Sequence, residues 1–242
     1  MNSDNRSDGL YGVYIGIVSK TKDPENMARV RVKFPWRDGN HQSAWARIAT
    51  PMAGKDMGTF FMPEKGDEVL VSFGDGNIKH PYILGSLWNG KQKPPVKSTK
   101  KNTVQQIKSR AGHTITLDDK RNKGNIEIKT KKNQRVIIDD TKDEIKIEDS
   151  NGNKITMDKD GIEIKSKKKT TLSGREVEIN ADQKLSLSGG KLDASASSKA
   201  TISSRGPLDI SANGKASLQA LGLLNIKATG PLRMKGLPIM LN

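Results

Sequence analysis

Two adjacent carboxylate pairs, Asp118-Asp119 and Asp139-Asp140, are the groups best placed for acid–base work or for Ca²⁺. Neighbouring residues in a strand point to opposite faces, so neither pair converges on one point. They read as turn or surface carboxylates. No Ser-His-Asp motif is recognisable. The glycines form no phosphate loop, because no Gly-Lys-Ser/Thr follows a suitable run. The chain has no cysteine, which excludes disulfides and thiolate metal sites. Trp36, Trp45 and Trp88 have the ring faces to stack on nucleobases, but barrel core or subunit contacts suit them better. The expectation is a protein without catalytic residues, cofactor or metal, and not an enzyme.

The remaining features must come from architecture. The 242 residues are only 33% hydrophobic and 4% aromatic. Such poverty means either disorder or a narrow core repeated along an axis. No apolar run approaches the ~20 residues that span a bilayer. Met1 to Gly9 is polar and does not read as a signal peptide, so synthesis in the cytoplasm is expected. The net charge of +15 is unevenly placed. Residues 1–90 hold 11 Lys/Arg against 10 Asp/Glu, and residues 91–242 hold 31 against 17. The near-neutral first part argues against a specific nucleic-acid partner. Lysines that alternate with apolar residues in the second part read as a solvated face.

The first ninety residues read as five short antiparallel strands. They are Gly12 to Ser19, Arg29 to Phe34, Ala44 to Ala49, Asp67 to Phe73 and Pro81 to Leu87. Alternation puts Val30, Val32 and Phe34 on one face, and Val69, Val71 and Phe73 on another, as the barrel core. Turn signals at Asp23-Pro24, Asp38-Gly39-Asn40, Pro63 to Gly66 and Gly74 to Asn77 separate the strands. Five such strands suggest a small OB-type barrel.

A linker with Pro94-Pro95 and five lysines follows. Apolar pairs at i and i+2 then recur: Ile115/Leu117, Ile126/Ile128, Val136/Ile138, Ile145/Ile147 and Ile155/Met157, starting 9 to 11 residues apart. From Ile162/Ile164 to Ile239/Leu241 the step tightens to 7 or 8 residues. Gly206, Gly214, Gly222 and Gly230 keep that period. This internal repeat is the strongest signal in the sequence.

One octad buries two inward side chains, worth ~1.5–3 kcal/mol each, which cannot offset the cost of ordering eight residues. Stacking is compulsory. A recurring glycine corner makes a triangular prism, and small residues such as Ala194, Ala200 and Ala216 suit its narrow interior. A single chain coiling with three repeats per turn fits, and so do three interleaved chains. Arithmetic alone does not separate them. Three features favour the trimer: eleven repeats give under four turns of a single-chain coil, no long loops protrude to build a cleft, and the repeat is regular and small-sided.

Several stretches together resemble the OB domain of contractile-injection spikes: VgrG proteins, phage baseplate assembly protein V and the phage T4 gp5-like spike. They are Arg29-Val30-Arg31-Val32-Lys33-Phe34-Pro35-Trp36, Ser43-Ala44-Trp45-Ala46-Arg47, Pro51-Met52-Ala53-Gly54, Gly58-Thr59-Phe60-Phe61-Met62-Pro63-Glu64-Lys65-Gly66-Asp67-Glu68-Val69-Leu70-Val71, and His80-Pro81-Tyr82-Ile83-Leu84-Gly85-Ser86-Leu87-Trp88-Asn89-Gly90. Gly112-His113-Thr114-Ile115 with Asp118-Asp119 is similar to the start of the family's needle. The resemblance implies a homotrimeric spike whose barrel sits on a separate hub protein and whose needle is driven mechanically through a target membrane. Relatives with a metal-binding tip carry paired histidines there. The histidines here, His41, His80 and His113, lie far from the C-terminus. The blunt apolar end, Leu237, Pro238, Ile239, Met240, Leu241 and Asn242, is the expected seat of a PAAR-type tip protein.

The expected fold is therefore all-β: an OB-type barrel followed by an intertwined trimeric β-helix. Its parts are an N-terminal arm (1–10), the barrel (11–90), the linker (91–103), a meander base (104–160) and an octad-repeat needle (161–242). The expected needle core is Ile162, Ile164, Leu172, Val177, Ile179, Leu185, Leu187, Ile202, Leu208, Ile210, Leu218, Leu224, Ile226, Leu232 and Met234. The rival readings are a monomeric β-helix protein that binds or degrades polysaccharide, and an OB-type nucleic-acid binder with a basic tail.

Overall fold

The computed structural model describes residues 9–236. The chain divides into two units, Met1–Leu172 and Ser173–Asn242. The tip residues Leu237 to Asn242 and most of the N-terminal arm lie outside the described residues.

The first unit opens with β1 (Val13–Lys20), β2 (Arg31–Lys33), β3 (Arg47–Ile48), a two-strand hairpin β4 (Ala53–Gly54) and β5 (Met57–Gly58), β6 (Glu68–Phe73) and β7 (Pro81–Leu87). Five of these form one sheet in the order β2-β1-β6-β7-β3. A bridge between Val30 and Ala46 joins the two ends, with N–H···O distances of 3.0 and 2.8 Å. Val18, Val30, Val32, Phe34, Ala46, Val69, Val71, Phe73 and Ile83 are buried inside. All six residues expected in the barrel core are among them.

One expectation is corrected. The five strands are not all antiparallel, because β3 pairs with β7 in parallel, Arg47 with Tyr82 and Ile48 with Ile83. After β3 the chain leaves the edge of the sheet, passes through β4 and β5 and re-enters at the centre as β6, so that β7 returns beside β3 in the same direction, and short-range alternation carries no record of it. Gly16, in the middle of β1, is a point of close approach. A Cβ there would lie 3.0 Å from Val71 Cγ2 and 3.2 Å from Val32 Cβ.

A seven-stranded antiparallel meander follows: β8 (Val104–Lys108), β9 (Thr114–Asp118), β10 (Asn125–Lys129), β11 (Arg135–Asp139), β12 (Glu144–Glu148), β13 (Lys154–Asp158) and β14 (Gly161–Lys165). It runs one strand past the boundary expected at residue 160. Lys159 and Asp160 make a two-residue turn, with Gly161 at φ +130°, and return the chain onto β13. Among the described residues of the second unit no strand forms, and every residue is exposed. Among the described residues, the eight-residue repeats find no strand neighbours in their own chain.

Candidate interaction surfaces

The register of the meander aligns its apolar residues into two continuous cross-strand ladders. One passes through Ile107, Ile115, Ile128, Val136, Ile147, Ile155 and Ile164. The other passes through Leu117, Ile126, Ile138, Ile145, Met157 and Ile162. Ladder positions are two apart along each strand, so both lie on one face. That face is uncovered. Ile107, Ile115, Leu117, Ile126, Ile128, Ile138, Ile145 and Ile147 are 40–51% exposed, and Ile162 and Ile164 reach 71% and 64%.

The opposite face is polar yet better covered, because its long side chains lie over one another. Arg135 bridges Glu127 at 3.3 Å and Glu148 at 2.6 Å; Lys146 reaches Glu148 at 3.0 Å. Lys154 pairs with Glu163 at 2.9 Å. The Lys146 ammonium, with help from Arg135, holds the Glu148 carboxyl below its usual range. The oily side of the sheet is thus bare, while the charged side is largely paired, with Arg135 Nε and Thr156 Oγ1 left without a partner. A bare apolar face of this extent marks an interaction site.

The expected needle-core residues extend the same condition. Ile162 and Ile164 stand on β14. Leu172 ends the first unit at 76% exposure, and Val177 through Met234 are all exposed in the single chain.

The barrel has its own uncovered patch. Met27, Met52, Met57, Phe60 and Phe61 are exposed around a concavity of about 810 Å³ built by the β4–β5 hairpin. Sequence reading missed this patch, although Phe60-Phe61-Met62 between two turns was a usable signal.

The residues considered for chemistry are not brought together. Asp118 accepts the backbone N–H of Lys120, and Asp139 accepts those of Thr141 and Lys142. Partial desolvation pushes the Asp139 carboxyl up, but the backbone N–H and ammonium of Lys142 outweigh it and its pKa falls. Trp36 packs on Tyr14 and Phe34 at 5.1 and 5.2 Å between ring centroids. Arg31 lies over Trp45, and Trp88 is exposed. His113 accepts a long bond from the Lys131 N–H, and His80 stands beside Tyr82 at a separate concavity. Among the described residues, no group of three or more His, Cys, Asp or Glu could hold a metal ion. None of the described helices is long and apolar enough to cross a membrane.

Comparison with known proteins gives two domain matches. Residues 14–88 match the type VI secretion system/phage-baseplate injector OB domain. Residues 125–193 match the phage baseplate V C-terminal trimerisation domain. The chain is 29% identical over 127 residues to the type VI secretion system spike protein VgrG1b of Pseudomonas aeruginosa, covering 48% of this chain and 17% of that one. It is 33% identical over 90 residues to VgrG2a of the same organism, covering 36% and 11%. The actin cross-linking toxin VgrG1 of Vibrio cholerae is 30% identical over 113 residues, covering 43% and 10%. The chain thus spans less than a fifth of the length of these relatives.

Proposed function

From a chain that belongs to the VgrG and phage baseplate V family, we propose the central spike of a contractile injection apparatus, working as a homotrimer. The carrying observation is the uncovered double ladder, continuous in sequence with octads that find no partner in their own chain. Three copies turn these faces inward and supply one another with strand neighbours. The spike acts by stiffness and shape, without catalysis, and is pushed through a target envelope.

A separate hub protein holds the barrel end. The Met/Phe patch beside β4 and β5 supports a protein contact there. A PAAR-type tip protein caps the C-terminal end at Leu237 to Asn242. The spike is assembled into the baseplate of an injection particle.

The test is the mass of the full chain in solution. A stable species of three times the 26.5 kDa chain mass is expected. A monomer at all accessible concentrations overturns the reading. Its mechanical role is tested in the assembled particle. Removing residues 173–242 should leave particles that contract but no longer breach a membrane. Undiminished breaching would exclude the needle role.

A further inference from the structure

The meander sorts its charge between its two turn-bearing edges. Successive hairpin turns alternate sides, so every second turn shares an edge. One edge comprises residues 108–114, 129–135, 148–154 and 165–172, at the ends of the rows Lys108–Thr114, Lys129–Arg135 and Glu148–Lys154. It carries eleven Lys/Arg against two acids, Glu148 and Asp149. The other edge comprises the entry to β8 (residues 97–104) and the turns 118–125, 139–144 and 158–161, at the rows Val104–Asp118, Asp118–Asn125, Asp139–Glu144 and Asp158–Gly161. Its turns carry eight Asp/Glu against five Lys/Arg, and Lys97, Lys100 and Lys101 in the entry bring the edge to eight against eight, with the acids concentrated at the 139–144 turn. Solvation alone needs charge of either sign and gives no reason to sort it by alternate turns.

We propose that the basic edge of the meander in one copy docks along the acidic turns of the other edge in the next copy, closing a three-membered ring with the apolar ladders inside. This inference rests on the trimeric reading and says which surfaces meet. Three-fold closure is heterologous: each copy offers one patch and receives on a different one. A flat sheet with its oily face turned to the axis has only its two turn-bearing edges left to offer its neighbours. Basic turns against the acidic turns favour closure, and two basic edges repel one another.

The levels match as well. The turn holding Lys131 and Lys132 lies between β10 and β11, and the turn holding Asp140 and Asp143 between β11 and β12. They differ by one strand spacing, ~5 Å, within reach of a lysine side chain. Lys167, Lys168 and Lys169 follow β14, and Asp158 stands at the β13–β14 turn, again one spacing away. Among the described residues, these five lysines, and Asp140, Asp143, Glu144 and Asp158, make no ion pair within the chain.

The experiment uses three variants of the full chain. One reverses the basic edge (Lys131→Glu, Lys132→Glu, Lys168→Glu, Lys169→Glu). One reverses the acidic turns (Asp140→Lys, Asp143→Lys, Glu144→Lys, Asp158→Lys). The third combines both sets. Trimer fraction is measured by sedimentation across protein concentration at low and at high salt. Each single-edge variant should need at least about tenfold more protein to assemble at low salt, and the combined variant should recover to within about threefold of the parent. High salt should shrink the differences. A parent trimer with unaffected single-edge variants overturns the edge pairing and leaves the trimer standing. A combined variant as weak as the single-edge ones also overturns it, since misfolding would add where charge pairing compensates. A monomeric parent overturns both readings.

Discussion

Asp23 grips Arg29 with both of its oxygens: Nε donates to Oδ2 and Nη2 to Oδ1, each at 2.8 Å. The same carboxylate accepts the backbone N–H groups of Glu25 and Met27 at 3.1 and 3.0 Å. One nearly buried side chain thus ties the loop between β1 and β2 to the strand that follows. Glu25 adds a second contact to the same guanidinium at 3.1 Å. Replacing Asp23 by Asn keeps the size and loses the bidentate charge pairing. We expect a lower urea midpoint for barrel unfolding in Asp23→Asn, and a larger drop in Asp23→Ala. Equal stability of all three proteins would show that the loop holds itself without the pair.

Acid should unfold the chain through its fixed carboxylates. The Arg29 guanidinium, against an opposing cost of desolvation, drives the Asp23 pKa well below its model-peptide value of 3.8. The Asn153 backbone N–H, aided by Asn151, lowers Asp149 to about 2. A depressed folded pKa means stability that is present above the unfolded value and lost as pH falls through the folded one. The melting temperature should therefore hold above about pH 4 and fall between about pH 4 and pH 2. Asp23→Asn should flatten part of that slope. A melting temperature that rises on acidification would contradict this.

Gly16 is fixed by crowding. A Val there must displace Val71 and Val32 from contacts already at 3.0 and 3.2 Å from the added Cβ. Gly16→Val should destabilise the barrel by about 1–3 kcal/mol, read from denaturant curves of the full chain. A smaller loss in Gly16→Ala would confirm that the cost scales with volume.

The ladders can be tested from within. Ile138 lies between Ile126 and Ile145 in the second ladder and is exposed in one chain. Ile138→Lys costs a lone chain little, because its face is wet. On assembly it buries an unpaired charge, at ~3 kcal/mol or more per copy. The expected outcome is a folded monomer by sedimentation, with the barrel's tryptophan emission unchanged. A variant that still forms trimers would show that this face looks outward.

The C-terminal expectation has a direct assay. Deleting residues 237–242 should abolish co-purification of a PAAR-type tip protein while the trimer persists. Retained capture would move the tip site elsewhere.

The all-β class was legible because alternation is local. Arg29 to Phe34 shows its two faces within six residues, and the paired isoleucines of β10 to β13 announce strands without reference to anything distant. Strand direction was not legible. The parallel pairing of Ile48 with Ile83 depends on a path through β4 and β5 that no window of residues records. Strand β8, inside the expected meander, shows no apolar pair of its own because Gln105 stands opposite Leu117, where a second apolar residue would have completed the pattern. The sites divide the same way. Val69 and Val71 find their neighbours inside one chain and are buried. Leu208 and Leu232 have none there and stand exposed.

The meander's antiparallel order also sets how it carries load. Its seven strands are stacked like rungs, with hydrogen bonds running from each to the next. If thrust travels along that stack, the rungs are loaded in series, and compression presses every one against its neighbour at once. Tension in the same direction also reaches every pair, but it is carried only by the inter-strand hydrogen bonds and packing, so the weakest pair parts first. Such an element resists being pushed far better than it resists being pulled.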